Sequence, residues 1–291
     1  MKKSISLTGI IVALMIAGLI GWAGSQGGSQ TSWGPLFLLC GLIAFTVQWA
    51  FFVPAFIYQT EHYFDLTGSL TYITLSLIVI VASGFSEPRT LLIGTLVIIW
   101  AGRLGSFLFK RVKTAGQDTR FRSIKPDFLQ FLMTWTLQGL WVFITFAAGL
   151  AAMTSGREAG IDIFAMVGAG VWIAGFGFEV LSDRQKTAFR QDENNRGRFI
   201  STGVWSWSRH PNYFGEIVLW VGIAIIAFPV LEGWQLATLI SPIFVVVLLT
   251  KISGVRMLEN QGRKRWGEDP DYQAYLARTS VLVPLPPKSN A

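Results

Sequence analysis

Charge is scarce in this sequence. Asp, Glu, Lys and Arg make up 14% of its 291 residues, against 52% hydrophobic ones. A soluble chain carries about 25% charged residues, so most of this surface is not built for water. Cysteine is reduced to Cys40, which excludes an intramolecular disulfide and leaves the redox compartment open. The histidines are His62 and His210, too few with one cysteine for a dedicated zinc site, so no metal is expected. No Gly-x-Gly-x-x-Gly follows a strand pattern and no Walker loop occurs. Any nucleotide would therefore be held by side chains among helices rather than by a Rossmann fold. There is no internal repeat, so an inverted-repeat transporter has no support. The net charge of +7 does not point to nucleic acid, because the basic residues sit in loops between apolar runs.

Those apolar runs are what the chain has in abundance. They predict helices over about 5–23, 34–57, 69–83, 89–109, 128–153, 163–181, 211–231 and 235–250. The fold class expected is all-α: a polytopic integral membrane protein of about seven to eight transmembrane helices with a cytoplasmic helical tail. Residues 1–22 suit either a signal peptide, with Ala23-Gly24-Ser25 near the cleavage point, or an uncleaved first helix; the many later spans favour the helix. Pro54 is expected to kink the second span. Arg103 at membrane depth would cost about 2.5–3.5 kcal/mol, so it faces protein or water, or snorkels. The last hairpin, broken at Glu232-Gly233-Trp234, can cross or re-enter. Residues 110–125 hold Lys110, Arg111, Lys113, Arg120, Arg122 and Lys125 against Asp118, and residues 182–210 are also basic. By the positive-inside rule both loops are cytoplasmic, with 58–68 and both termini. Residues 1–127 are expected to form the substrate side and 128–291 the cofactor side of one structural unit.

The densest polar stretch is Thr202 to Ile217, with Arg209, His210, Asn212, Tyr213 and Glu216. Pro211 suits the first turn of a helix, which sets Asn212 and Glu216 on one face. Gly215 beside them leaves room for another backbone or a flat ligand. Trp205 and Trp207 read as interfacial anchors. Upstream, Asp183 and Arg190 share a helical face, and Asn195 lies in a turn with Arg196 and Arg198. Arginine forks match a diphosphate or a 2′-phosphate; an anionic lipid headgroup suits them equally. In the tail, Arg256, Glu259 and Arg263 are spaced for helical ion pairs. Tyr272, Tyr275 and Arg278 recur on one face, to stack on a base or to lie on the membrane. In the N-terminal half, Tyr58, Glu61, His62 and Asp65 form a titratable cluster. A carboxyl group partly withdrawn from water there would have its pKa raised and could donate a proton at neutral pH. Glu61, partnered by Tyr58, is the candidate acid; alternatively Glu61 and Asp65 cap the third helix.

Ser182-Asp183-Arg184-Gln185, Phe189-Arg190, Gly197, Thr202-Gly203-Val204-Trp205, Arg209-His210-Pro211-Asn212-Tyr213-Phe214-Gly215-Glu216 and Trp220 together resemble the C-terminal region of steroid 5-alpha-reductases, nearest to a bacterial branch. Tyr272-x-x-Tyr275-x-x-Arg278-Thr279 and Pro284 fit as well. The resemblance covers about residues 165–287, and the N-terminal half more loosely. Its Arg-His-Pro-x-Tyr-x-Gly core is shared with sterol C14 reductases and isoprenylcysteine carboxyl methyltransferases. The resemblance implies NADPH as cofactor, with Asp183, Arg190, Arg198, Asn212, Glu216 and Arg278 as contacts. The residues themselves add Asn195, Arg209, Tyr213 and Tyr275. It also implies reduction of a C=C bond conjugated to a carbonyl in a lipophilic, steroid- or isoprenoid-like substrate, in the bacterial inner membrane. The family's Gln-Glu pair is absent, although Gln59 and Glu61 lie near its place, and Trp100 stands near the position of its catalytic Tyr. The alternative activity is S-adenosylmethionine-dependent methyl transfer to a lipid-like substrate, which needs no cluster for a 2′-phosphate. A non-catalytic protein with membrane lipid as its partner would need neither Asn212 nor Glu216.

Overall fold

The computed structural model describes residues 3–157 and 159–288. The chain is an all-α polytopic membrane protein. Among the described residues, eight stretches are long and apolar enough to cross a membrane. The helices are α1 Lys3–Gly24, α2 Leu36–Ile57, α3 Phe64–Ala82, α4 Pro88–Ala115, α5 Phe128–Met153, α6 Ile163–Gln191, α7 Pro211–Ala227, α8 Ile240–Val247, α9 Val255–Trp266 and α10 Pro270–Arg278. A short antiparallel clasp, β1 Gln30–Thr31 with β2 Gly34–Pro35, closes the loop after α1. Contacts define two compact units, Met1–Met166 with Ala224–Ser241, and Val167–Ile223 with Pro242–Ala291. Helix α5 packs with α1, α2, α3 and α4 in the first of these units.

In the first unit α5 is the central post. Apart from Trp141 it is buried at every position from Gln138 to Met153, as a helix apolar on all sides must be. Two glycines let α2 come close to it. A Cβ on Gly41 would lie 2.8 Å from the Phe143 ring, and one on Gly139 would lie 2.9 Å from the Phe45 ring. Each helix thus seats an aromatic ring of the other. On α1, Ser6, Ala13, Ala17 and Gly21 are buried; small residues at such contacts let backbones approach where lipid gives no hydrophobic drive. Polar side chains here pair among themselves, since no water reaches them. Gln48 Nε2 donates to Thr71 Oγ1 (2.8 Å), Trp49 Nε1 to Thr136 Oγ1 (3.1 Å) and Gln138 Nε2 to the Phe64 carbonyl (2.8 Å).

Arg89, in the first turn of α4, is buried. It pairs with Asp162 at 2.9 Å and donates to the carbonyls of Ala159 (3.2 Å), Gly160 (3.0 Å) and Ile226. Four acceptors around one guanidinium tie α4 to the loop before α6 and to the end of α7. The hydrogen bond from the Ala165 amide, helped by Arg89, holds the Asp162 carboxyl below its usual range against burial, which acts to raise it.

Several boundaries moved from those expected. Helix α3 starts at Phe64 rather than near 69, because the Phe64 ring is anchored edge-on against Phe121 (4.9 Å) and Trp135 (5.1 Å). Helix α4 runs on into the basic loop. Pro54 lies inside α2, whose end continues through a bond from the Tyr58 N–H to the Pro54 carbonyl (2.9 Å). Arg103 stacks over Phe107 at 5.1 Å. The last hairpin is not a pair of plain helices. A 3₁₀ stretch Gly233–Leu239 leads into α8, and a π-helical turn Leu248–Ile252 follows before α9.

In the second unit, α6 and α7 meet backbone to backbone. A Cβ on Gly175 would sit 2.5 Å from the Leu219 nitrogen, and one on Gly215 2.6 Å from the Glu179 nitrogen. One on Gly222 would sit 2.7 Å from the Gly168 carbonyl oxygen. The space that Gly215 leaves is thus filled by another helix, not by a flat ligand.

Candidate functional site

Helix α6 ends in a turn rather than fraying. Asp192 accepts the Asn194 N–H (2.9 Å), and Asn195 Nδ2 donates back to the Phe189 carbonyl (3.1 Å). Asn195 therefore holds the turn with its amide. Arg190, Arg196 and Arg198 around it are exposed. The following chain is pinned at three places. Trp266 Nε1 donates to the Gly197 carbonyl (2.6 Å). The Phe199 ring packs against Trp266 (5.9 Å), Tyr272 (5.0 Å) and Tyr275 (5.4 Å). Gly203, at φ +60°, passes so close to Gln185 that a Cβ would lie 2.4 Å from its Oε1, and that oxygen accepts the Val204 N–H (3.0 Å).

Trp205 is buried, not an interfacial anchor. Its indole donates to the Ser182 carbonyl (3.0 Å), and the Lys186 ammonium lies 4.4 Å from the ring centre. Its own carbonyl accepts the Tyr275 hydroxyl (2.8 Å). Trp207 stays half exposed. The spacing of Tyr272 and Tyr275 suits stacking on a base or lying on the membrane, but both are buried among these aromatics. Helical spacing put them on one face correctly, yet that face turns to Phe199 and Trp205. Burial raises the pKa of both phenols. Arg278, one turn on, is exposed.

The Arg209-His210 pair is gripped from two sides. One carboxylate, Glu259 on α9, spans both side chains: Arg209 Nη1 to Oε2 at 2.9 Å and His210 Nε2 to Oε1 at 3.0 Å. On the backbone side, Arg209 N–H donates to the Ser280 carbonyl (2.9 Å) and Ser208 Oγ to the Leu282 carbonyl (2.7 Å). The tail after α10 is thus zipped to residues 207–209. The His210 ring lies nearly parallel to Tyr213, 8° apart with centres 5.7 Å distant. Burial pushes the His210 pKa below its ordinary value; Glu259 opposes this, and Lys186 and Arg209 add to it. Pro211 starts α7 as expected, with Asn212 and Tyr213 half-buried and Glu216 buried. On α6, Asp183 is buried one turn beyond Glu179, also buried. Glu179 was missed in the sequence. Its signal was available, since an acid within an apolar span is by default a functional candidate.

Apart from Ser280 and Leu282, these residues fall within 51–279, which match the family described as protein of unknown function, DUF1295. The chain belongs to the DUF1295 family. DUF1295 is related to the steroid 5-alpha-reductases. An uncharacterised protein of Schizosaccharomyces pombe (strain 972) is similar, 24% identical over 181 residues that cover 52% of this chain and 53% of that protein. The chain thus spans about half the length of that curated relative. No solved structure matches it.

The DUF1295 segment also takes in Glu61, in the first unit, where the expected chemistry is reversed. Glu61 is buried, but its partner is not Tyr58, which is exposed. The Glu61 carboxylate pairs with Lys125 and accepts the Asp118 N–H (2.8 Å). Burial alone would raise its pKa, but Lys125 and the Asp118 amide outweigh burial and lower it. Both contacts favour the ionised carboxylate over the protonated donor expected from the sequence. Nor does Glu61 cap α3: the residue at the cap is Tyr63, and no side chain bonds there. Instead Glu61 fastens the turn before α3 to the basic α4–α5 loop. His62 Nε2 makes a second fastening to the Gly116 carbonyl (2.9 Å). Trp100 is buried edge-on against Tyr72 (5.1 Å).

Proposed function

We propose that this DUF1295 protein is an NADPH-dependent reductase of a C=C bond conjugated to a carbonyl in a lipophilic, steroid- or isoprenoid-like molecule. The observation that supports this reading is the arginine turn: Arg190, Arg196 and Arg198 are exposed around a turn held by Asn195 and Trp266, in the unit that also holds buried Asp183 and Glu216. Guanidinium forks suit the diphosphate and the 2′-phosphate, with Arg278 as a further cation. The carboxylates of Asp183 and Glu216 and the amide of Asn212 suit hydroxyl and carboxamide donors. NADPH, when bound, supplies the hydride. The Glu259 bridge to Arg209 and His210 keeps the start of α7, and so Asn212 and Glu216, in a fixed position. The basic loops support a cytoplasmic cofactor side and cytoplasmic termini in a bacterial inner membrane.

Binding to the purified protein in mild detergent tests the reading. NADPH is expected to bind at least tenfold more tightly than NADH, about 1.4 kcal/mol, and Arg198→Ala should narrow that gap. Tight S-adenosylmethionine binding without NADPH binding would favour the methyltransferase, which shares the Arg-His-Pro-x-Tyr core.

A further inference from the structure

Two features of the first unit meet at one membrane face. Helix α3 leaves the turn after α2, and α4 returns to the basic loop before α5, so both connections lie on the same side. At the end of α2 is a cavity of about 330 Å³, at the small end of the range of about 300–1,000 Å³ usual for small-molecule sites. Phe51, Pro54, Ala55 and Trp135 wall it, and the exposed Tyr58 and Tyr63 stand at its rim. Among the described residues, none that lines it is charged. An apolar chain suits such a space, and tyrosines at the rim suit the boundary between lipid and water.

The basic loop is fastened to that same turn. Tyr63 stacks on Phe109 of α4, ring centres 6.0 Å apart, and Lys110 follows Phe109. His62 reaches the Gly116 carbonyl (2.9 Å), and Glu61 holds both the Asp118 N–H and Lys125. Phe121 packs in one buried cluster with Ala55 and Trp135 of the cavity wall, and Arg120 and Arg122 flank it. The acids nearby neutralise only part of this charge. Arg120 is paired with Asp118 and Lys125 with Glu61, and Arg111 lies within electrostatic reach of Asp65 and Asp118. Lys110, Lys113 and Arg122 are exposed, with no ion pair among the described residues.

We propose that this face of the first unit seats an anionic phospholipid, with an acyl chain in the cavity and the phosphate held by Lys110, Lys113 and Arg122. Open cations beside an uncharged cavity match a negative headgroup carried on an apolar chain. A neutral lipid would fill the cavity and leave the cations unmet. A free phosphate would meet the cations and leave the cavity unfilled. The seat is independent of the cofactor reading.

The test uses the full chain in mild detergent, with bound lipid counted by native mass spectrometry. The probes are phosphatidylglycerol and phosphatidylcholine with the same oleoyl chains, and glycerophosphoglycerol, which keeps the phosphate and has no chain. The first phosphatidylglycerol should bind about tenfold more tightly than phosphatidylcholine. Each basic side chain beside an anionic lipid is worth about fivefold, so Lys110→Gln combined with Lys113→Gln should abolish that preference. Removing the same charge at Lys251 and Lys264, both exposed in the second unit, should leave it intact. Ala55→Leu, which fills the cavity, should weaken both lipids alike. Because the larger side chain can disturb the buried cluster, Phe51→Ala, which strips an exposed wall, should do so too. Glycerophosphoglycerol should not displace phosphatidylglycerol. The proposal is overturned if the Lys251 and Lys264 changes remove the preference as fully as those at Lys110 and Lys113, since diffuse charge would then be the cause. It is also overturned if neither cavity variant weakens either lipid. Displacement of phosphatidylglycerol by an equal concentration of glycerophosphoglycerol overturns it as well, because the site would then be one for free phosphate.

Discussion

Glu61→Gln separates a latch from an acid. The side chain is 1% exposed and Lys125 is 18% exposed. Removing one partner of a buried pair costs about 3–5 kcal/mol when the other is left uncompensated. Lys125 keeps some access to water, and a glutamine oxygen can still accept the Asp118 N–H, so about 2 kcal/mol is expected here. That corresponds to a roughly thirtyfold rise in the opening of the α4–α5 loop, a local event and not global unfolding. Amide hydrogen exchange over residues 116–125 reads it directly, and trypsin cleavage after Arg120 and Arg122 gives a second readout. The pH dependence has a fixed sign. The Glu61 pKa is lowered in the folded protein, so its contribution is fully present above its ordinary value of 4.5 and is lost as pH falls through the lower folded value. Wild-type protection should therefore be flat from neutral pH down to that ordinary value and fall below it, while the variant starts low and changes little. Unchanged loop protection in Glu61→Gln would refute the latch. If NADPH oxidation collapsed as well, Glu61 would be the acid after all.

The α6–α7 seam predicts that Gly175→Ala destabilises the second unit by about 2 kcal/mol or more, since the new methyl meets backbone. Gly170→Ala, with nothing within 4 Å of the added Cβ, should be near neutral; thermal unfolding in detergent compares them. Glu259→Gln should lower the His210 pKa further, because that carboxylate is what raises it. With only two histidines in the chain, imidazole nitrogen resonances assigned through His62→Ala would follow the titration.

The spans were legible because a bilayer demands long apolar runs, and few other folds need so many. The start of α7 was legible too, through Pro211 and the polar residues behind it. What escaped was partnership across the chain. Arg89 reads as one more charge beside a turn until Asp162 and the Ile226 carbonyl come to it. Glu259 was seen as a helical neighbour of Arg256 and Arg263, not as the acid that joins Arg209 to His210. A titratable cluster shows where charge collects but not what neutralises it, which is why Glu61 read as an acid. Spacing finds a helix face but not what covers it, hence the placement of Tyr275. Glu179 was submerged in the apolar average of its span.

The zipper between residues 207–209 and 280–285 bears on how the molecule is made. Ser208 receives its backbone partner from Leu282, 74 positions later in the chain, and Trp207 is met by the Leu285 N–H. Synthesis runs from the N-terminus, and early segments fold first. On the ribosome, then, the helices α1 to α7 emerge while the Arg209-His210 corner still lacks both Glu259 and its backbone partners. That corner is completed only when the last turn of the tail has been translated, so chains released early would carry the helices without a finished site.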